Sequence, residues 1–168
     1  TDTATQFIAG VGVETTGSDM GQMEPMLDQV EERSGKVPAE WLVDGGFAQH
    51  EQIEAVSDPE VGCTVYAPVP KPKDPKVDRF QPKPGDSAAV AAWRVRMGTE
   101  QAKAIYKERA ATAECVNALA RGRALVQLTV RGRLKALAVA LWHALAHNVL
   151  CAVRLRAARL QAAVAQVA

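Results

Sequence analysis

The sequence predicts an α/β fold, a parallel layer followed by a helical part, and three observations carry that expectation. Short apolar runs rich in β-branched residues alternate with helical periodicities between residues 5 and 69, in the order strand, helix, strand, helix, strand. Six prolines between residues 68 and 84 then forbid regular structure. Beyond them the composition turns to alanine, leucine and arginine, which favours helices. The 168 residues suffice for one domain with a real core, or for part of a larger one. The expected organisation is an α/β layer over 1–67, a basic Pro/Lys-rich loop or linker over 68–98, and a helical part over 99–168.

The first strand is expected over about 5–15, where Phe7, Ile8, Val11 and Val13 partly alternate. A helix follows, with Ser18 or Asp19 as its N-cap and Met23, Met26, Leu27 and Val30 at helical spacing; Gly35 closes it. "AEWLVD" reads as a short apolar strand, "FAQHEQIEAVSD" as a helix ending before Pro59, and "GCTVYAPV" as a third strand. Helices are then expected over 87–95, 99–121 and 132–165, with "RGR" at 121–123 and 131–133 as turn points.

Charge is divided unevenly along the chain. Residues 1–60 hold 13 acidic against 2 basic residues, and residues 61–168 hold 6 against 18, so a net −11 is followed by a net +12. Such a split suits a polyanion-binding surface in the second part, or mutual neutralisation of the two parts. Cys63, Cys115 and Cys151 are odd in number and widely spaced, which fits a reducing cytoplasm and argues against a disulfide framework or zinc knuckle. The opening "TDTATQF" has no signal-peptide character, and its initial threonine hints at a fragment. The apolar window 134–153 contains two histidines and an asparagine and reads as a buried helix rather than a membrane span.

The stretch that bears on chemistry is "WLVDGGFAQHEQIE", where Asp44 stands between an apolar strand and two glycines. Turn chemistry alone explains such a residue. A carboxylate at a strand's C-terminal edge, with no neighbouring side chain in the way, is also suited to a metal or phosphate. One carboxylate binds Mg²⁺ weakly, so a partner is required. Glu114 is the candidate, in a helical stretch that also carries Tyr106, Lys107, Arg109 and Arg121. Its seven-residue separation from Arg121 places the two on one helix face.

Three blocks in order, "WLVDGGFAQHEQIEAVSDPEVGCTVYAPV", "RMGTEQAKAIYKERAATAECVNALAR" and "LTVRGRLKALAVALWHALAHNVL", resemble the C-terminal part of the DDE transposases of bacterial insertion sequences. The resemblance spans roughly residues 5–150. It implies a ribonuclease H-like mixed sheet with flanking helices, here N-terminally truncated, and a helical C-terminal part. It identifies Asp44, ahead of Gly46 and Phe47, with the family's second catalytic aspartate. Tyr106, Arg109 and Glu114 match the signature of the last catalytic helix, and Arg121 stands where the family has lysine. The implied roles are catalysis and metal binding for Asp44 and Glu114, and DNA contact for Tyr106, Lys107, Arg109 and Arg121. Two Mg²⁺ ions would support strand cleavage and transfer at transposon ends and target DNA by a homo-oligomer in a bacterial cytoplasm. The first aspartate has no counterpart here, because Asp2 and Asp19 lack an apolar-strand context and Asp19 reads as a helix cap. The alternative reading is therefore a non-catalytic remnant that at most binds DNA.

Other candidates have plainer readings beside their sharper ones. His143 and His147 have a zinc-compatible spacing of four, but no glutamate stands between them and a core role is favoured. Trp93, Arg94 and Arg96 offer either a DNA contact or a helix anchor. The arginines of 154–160 suit a solvated helix face.

Overall fold

A computed structural model of the chain describes residues 1–123 and 125–167. It resolves into two compact units, one formed by Thr16–Ala111 and the other by Thr1–Thr15 with Thr112–Ala168. The expected divisions after residues 67 and 98 both fall inside the first of these.

The Thr16–Ala111 unit contains α1 (Met23–Ser34), β1 (Glu40–Leu42), α2 (His50–Val56), β2 (Thr64–Tyr66), α3 (Ala88–Met97) and α4 (Glu100–Arg109). Helix α1 turns Met23 and Leu27 into the interior. Its start departs from expectation: neither Ser18 nor Asp19 caps it, and Gln22 at the N-cap makes no side-chain bond. Instead Gln52 of α2 reaches across, its Oε1 accepting from the amides of Met23 (3.1 Å) and Glu24 (3.0 Å). Two of the orphan donors of the first turn are thereby satisfied from another element. Gly35 ends α1 as expected, in the left-handed region at φ 70°, where glycine alone is unstrained.

Strands β1 and β2 pair in parallel, Glu40 opposite Thr64 and Leu42 opposite Tyr66, with α2 as the crossover between them. Ile53 and Val56 of α2, Val65 of β2, Val90 and Trp93 of α3 and Met23 of α1 are at most 1% exposed and form one apolar cluster. Each such side chain removed from water stabilises the fold by roughly 1.5–3 kcal/mol. Ser87 caps α3 and Thr99 caps α4, each accepting a backbone N–H three residues on.

The expected mixed ribonuclease H-like sheet is not present. Among the described residues the only sheet is this two-stranded parallel pair, and the arrangement is mostly helical. The expected strand over 5–15 is irregular backbone and belongs to the other unit. Its hydrogen-bonding groups are claimed by side chains: the Ile8 amide donates to Asn148 Oδ1 (2.8 Å) and the Ile8 carbonyl accepts from Asn148 Nδ2 (3.0 Å). With both groups satisfied there, no ladder partner is needed.

The second unit holds most of a π-helical segment (Ala110–Glu114), α5 (Cys115–Gly122) and α6 (Arg133–Val167). The helix expected over 99–121 is thus α4, the π-helical turn and α5 in succession. Helix α6 matches the expected 132–165 but not its expected burial: only 22% of its most apolar window is buried, and Leu134 and Trp142 are 76% and 72% exposed. Among the described residues its own unit offers only the end of the π-helical segment, α5 and irregular segments against it. By length and composition α6 could cross a membrane.

Candidate functional site

Strand β1 ends at Leu42, buried Val43 follows, and Asp44 emerges half-buried beyond the strand's C-terminal edge. Its Oδ1 accepts the Gly46 amide (3.1 Å), and its carbonyl accepts from Phe47 (3.2 Å), forming a tight turn. Its Oδ2 receives Arg109 Nη2 at 3.0 Å. One turn back on α4, the Tyr106 hydroxyl donates to the Val43 carbonyl (3.1 Å). Tyr106 and Arg109 are three apart and so share a helix face, which together grips residues 43 and 44. Burial pushes the Tyr106 hydroxyl above its usual pKa, keeping it a donor. Asp44, Tyr106 and Arg109, drawn from distant blocks of the sequence, therefore form one constellation.

The glycine pair has a different purpose from the one turn chemistry suggests. Neither Gly45 nor Gly46 adopts positive φ. A Cβ on Gly46 would lie 3.3 Å from Asp44 Oδ1 and 3.4 Å from Asp19 Oδ2, whereas one on Gly45 would meet only Pro68 Cγ at 3.5 Å. Gly46 thus leaves room between two carboxylates. Sequence reasoning took Asp19 for a helix cap; the structure brings its side chain beside Asp44 instead. Nothing in local spacing carries that signal, because Asp19 reaches the site through an irregular turn.

The Thr16–Ala111 unit by itself does not assemble the expected Mg²⁺ ligands. Asp44 and Glu114, the two carboxylates expected to share the ions, belong to different compact units. No group of three His, Cys, Asp or Glu residues among the described residues could hold a metal. Asp44 is also already neutralised by a guanidinium, which competes directly with any cation. Glu114 is exposed at the end of the π-helical segment, and Lys107 and Arg121 are exposed on α4 and α5.

The remaining candidates resolve into structural roles. Trp93 is fully buried and its indole N–H donates to the Ala67 carbonyl (3.1 Å), so it anchors α3 and is not exposed to DNA. Arg94 is buried with Asp86 at 2.7 Å, both side chains 5% exposed, and its Nη2 donates to His50 Nε2 (3.2 Å). The Asp86 carboxyl is held below its ordinary pKa by the Arg94 bond. Arg96 lies 5.7 Å from the centroid of the Tyr66 ring. Burial pushes the Cys63 thiol up to about 11, which makes it inert.

In the second unit His147 is 1% exposed and has both ring nitrogens engaged. Its Nδ1 accepts from Arg123 (3.4 Å) and its Nε2–H donates to the Gln6 carbonyl (2.8 Å). The Cys151 sulfur is 3.3 Å from that protonated nitrogen, so this pair lacks the acceptor that would activate a thiol. His143 Nε2 is buried without a hydrogen-bond partner, and burial, then Arg123, then His147, lower its pKa. No zinc pair results. The arginines at 154, 156 and 159 are solvent-exposed.

Comparison of the chain with protein-family models, with curated proteins and with solved structures found no match to any of them.

Proposed function

We propose that the chain is part of a DNA transposase, acting in strand cleavage and transfer at transposon ends. One observation carries the reading: Tyr106, Arg109 and Asp44, which the transposase resemblance nominates from separate blocks, converge at the C-terminal edge of β1. That edge is where parallel layers commonly bind ligands. Arg109 fixes the carboxylate's orientation, Tyr106 holds the backbone at Val43 beside it, and Gly46 keeps its approach open. Lys107 and Arg121 are exposed cations available to a phosphodiester backbone.

A second reading has its own support. Because Asp44 is tied to Arg109, whose guanidinium competes with a cation, the Thr16–Ala111 unit is better suited to holding DNA than to cutting it. Mg²⁺-dependent nicking of a duplex bearing the transposon ends separates the two. Under the first reading the chain joined to the portion that carries the first catalytic aspartate nicks, its Asp44→Ala and Glu114→Ala variants do not, and all three bind the duplex within about twofold of each other. Retained nicking by Asp44→Ala rejects the first reading, and duplex binding without nicking by the joined chain favours the second.

A further inference from the structure

Residues 71–83, between β2 and α3, form the most basic irregular stretch of the Thr16–Ala111 unit, with Lys71, Lys73, Lys76, Arg79 and Lys83 against Asp74 and Asp78. Both aspartates are used internally: Asp74 Oδ1 accepts from the Lys76 amide (2.9 Å), Asp78 Oδ1 from the Phe80 amide (2.9 Å), and Asp78 Oδ2 from Gln81 Nε2 (3.3 Å). The four lysines are exposed, and none of them takes part in an ion pair among the described residues.

The loop also borders an open, shallow cleft of about 380 Å³, lined by Lys71, Pro72, Pro75, Val77, Asp78, Arg79 and Phe80. That volume is near the lower end of the range for small-ligand sites, about 300–1,000 Å³. The wall is built from flat and rigid parts. The Arg79 guanidinium lies 4.7 Å from the Phe80 ring centroid and is held by a bond from Nη1 to the Val69 carbonyl (3.2 Å). Lys103 Nζ approaches the same ring at 5.9 Å. Gly98 seats the ring, since a Cβ there would come within 3.1 Å of Phe80 Cβ. Pro72 and Pro75 stiffen the lining and reduce the ordering cost of binding.

We propose that this loop is a binding site for single-stranded DNA, with one unstacked base in the cleft against Arg79 and Phe80 and the flanking phosphates on Lys71, Lys73 and Lys76. A guanidinium resting on an aromatic ring offers a planar, cationic surface to a base, and exposed lysines two and three residues apart can contact successive phosphates. Duplex DNA hides its base faces by stacking, so the cleft selects the single strand. Asp78, the one acidic side chain of the lining, repels phosphate at that point and leaves the cleft to the base. The site rests on the proposed function only for its partner being DNA; it needs neither Asp44 nor a metal.

Fluorescence anisotropy of a labelled oligothymidylate, titrated with the full chain in EDTA, tests it. Wild type binds the single strand at least about tenfold tighter than a duplex of equal length, and K71E/K73E/K76E, all at exposed positions, loses at least about tenfold. The magnitude of the log-log salt slope falls by about 2 in that variant, three phosphate contacts at about 0.7 each. An abasic strand binds wild type several-fold more weakly than oligothymidylate, and Arg79→Gln removes that difference. Unchanged binding by the triple variant, duplex binding equal to single-strand binding, or equal binding of abasic and thymidylate strands overturns the proposal, as does tighter binding to vesicles containing phosphatidylserine. Because the assay omits Mg²⁺ and cleavage, binding here without any nicking would count against the cleavage reading while leaving this site intact.

Discussion

The two units of the chain are held together by different means. The Thr16–Ala111 unit has an apolar cluster drawn from α1, α2, β2 and α3, and its one buried ion pair is complete, with Arg94 satisfied by Asp86 and His50. The other unit buries few apolar side chains and relies on polar contacts, in which Asn148 and His147 of α6 hold the backbone of residues 6–8. Apolar burial is non-directional and survives small displacements, whereas a few hydrogen bonds worth about 1 kcal/mol each do not. The second unit should therefore open first, and mutations or pH should reach the two independently.

The largest effect is expected from Trp93→Ala. It removes the biggest fully buried side chain and leaves the Ala67 carbonyl unpaired, so the Thr16–Ala111 unit should lose roughly 3–5 kcal/mol. Hydrogen exchange at the β2 amides reads this directly. If those amides keep their protection, the apolar cluster is not what holds the unit.

A smaller effect, about 1–3 kcal/mol, is expected from Asn148→Ala, which frees the Ile8 amide and carbonyl together. Faster exchange at Ile8, with β2 protection unchanged, supports separate stabilisation. Equal loss at both places would erase the distinction between the units.

The subtlest contrast is with pH. The folded state lowers the pKa of His143, so protonation favours unfolding: stability is full above about pH 6.5 and declines as pH falls toward the folded value. Asp86 is also lowered, but from the carboxylate range, so its contribution is full above about pH 4 and declines only below that. Between pH 7 and 5 the α6 unit should loosen while the β2 amides hold, and His143→Gln should flatten the difference. Parallel loss in both units over that range would remove His143 as the cause.

Much of the Thr16–Ala111 unit was legible because its signals are local. Periodicity marked α1, the apolar triplets marked β1 and β2, Gly35 marked a helix end, and the prolines marked the loop. The site was legible in part: Asp44 stood out at its strand edge, whereas the bonds that hold it, Arg109 to Asp44 and Tyr106 to Val43, join residues 65 and 63 apart. The misread strand over 5–15 failed for a related reason. Its alternating pattern was real, but its backbone partner proved to be a side chain 140 residues away. Gln52 escaped notice as the cap of α1 because no rule of local spacing connects residues 28 and 29 apart.

The glycine pair after Asp44 behaves as two unlike positions in mutational terms. Gly45 could take a methyl group against Pro68 at ordinary contact distance, so a library of variants should recover alanine there freely. At Gly46 the same single carbon would crowd the carboxylates of both Asp44 and Asp19. A dipeptide that looks uniformly permissive thus consists of one spare position and one spacing device, and tolerance at residue 46 alone would report whether the gap between the two carboxylates matters to the protein.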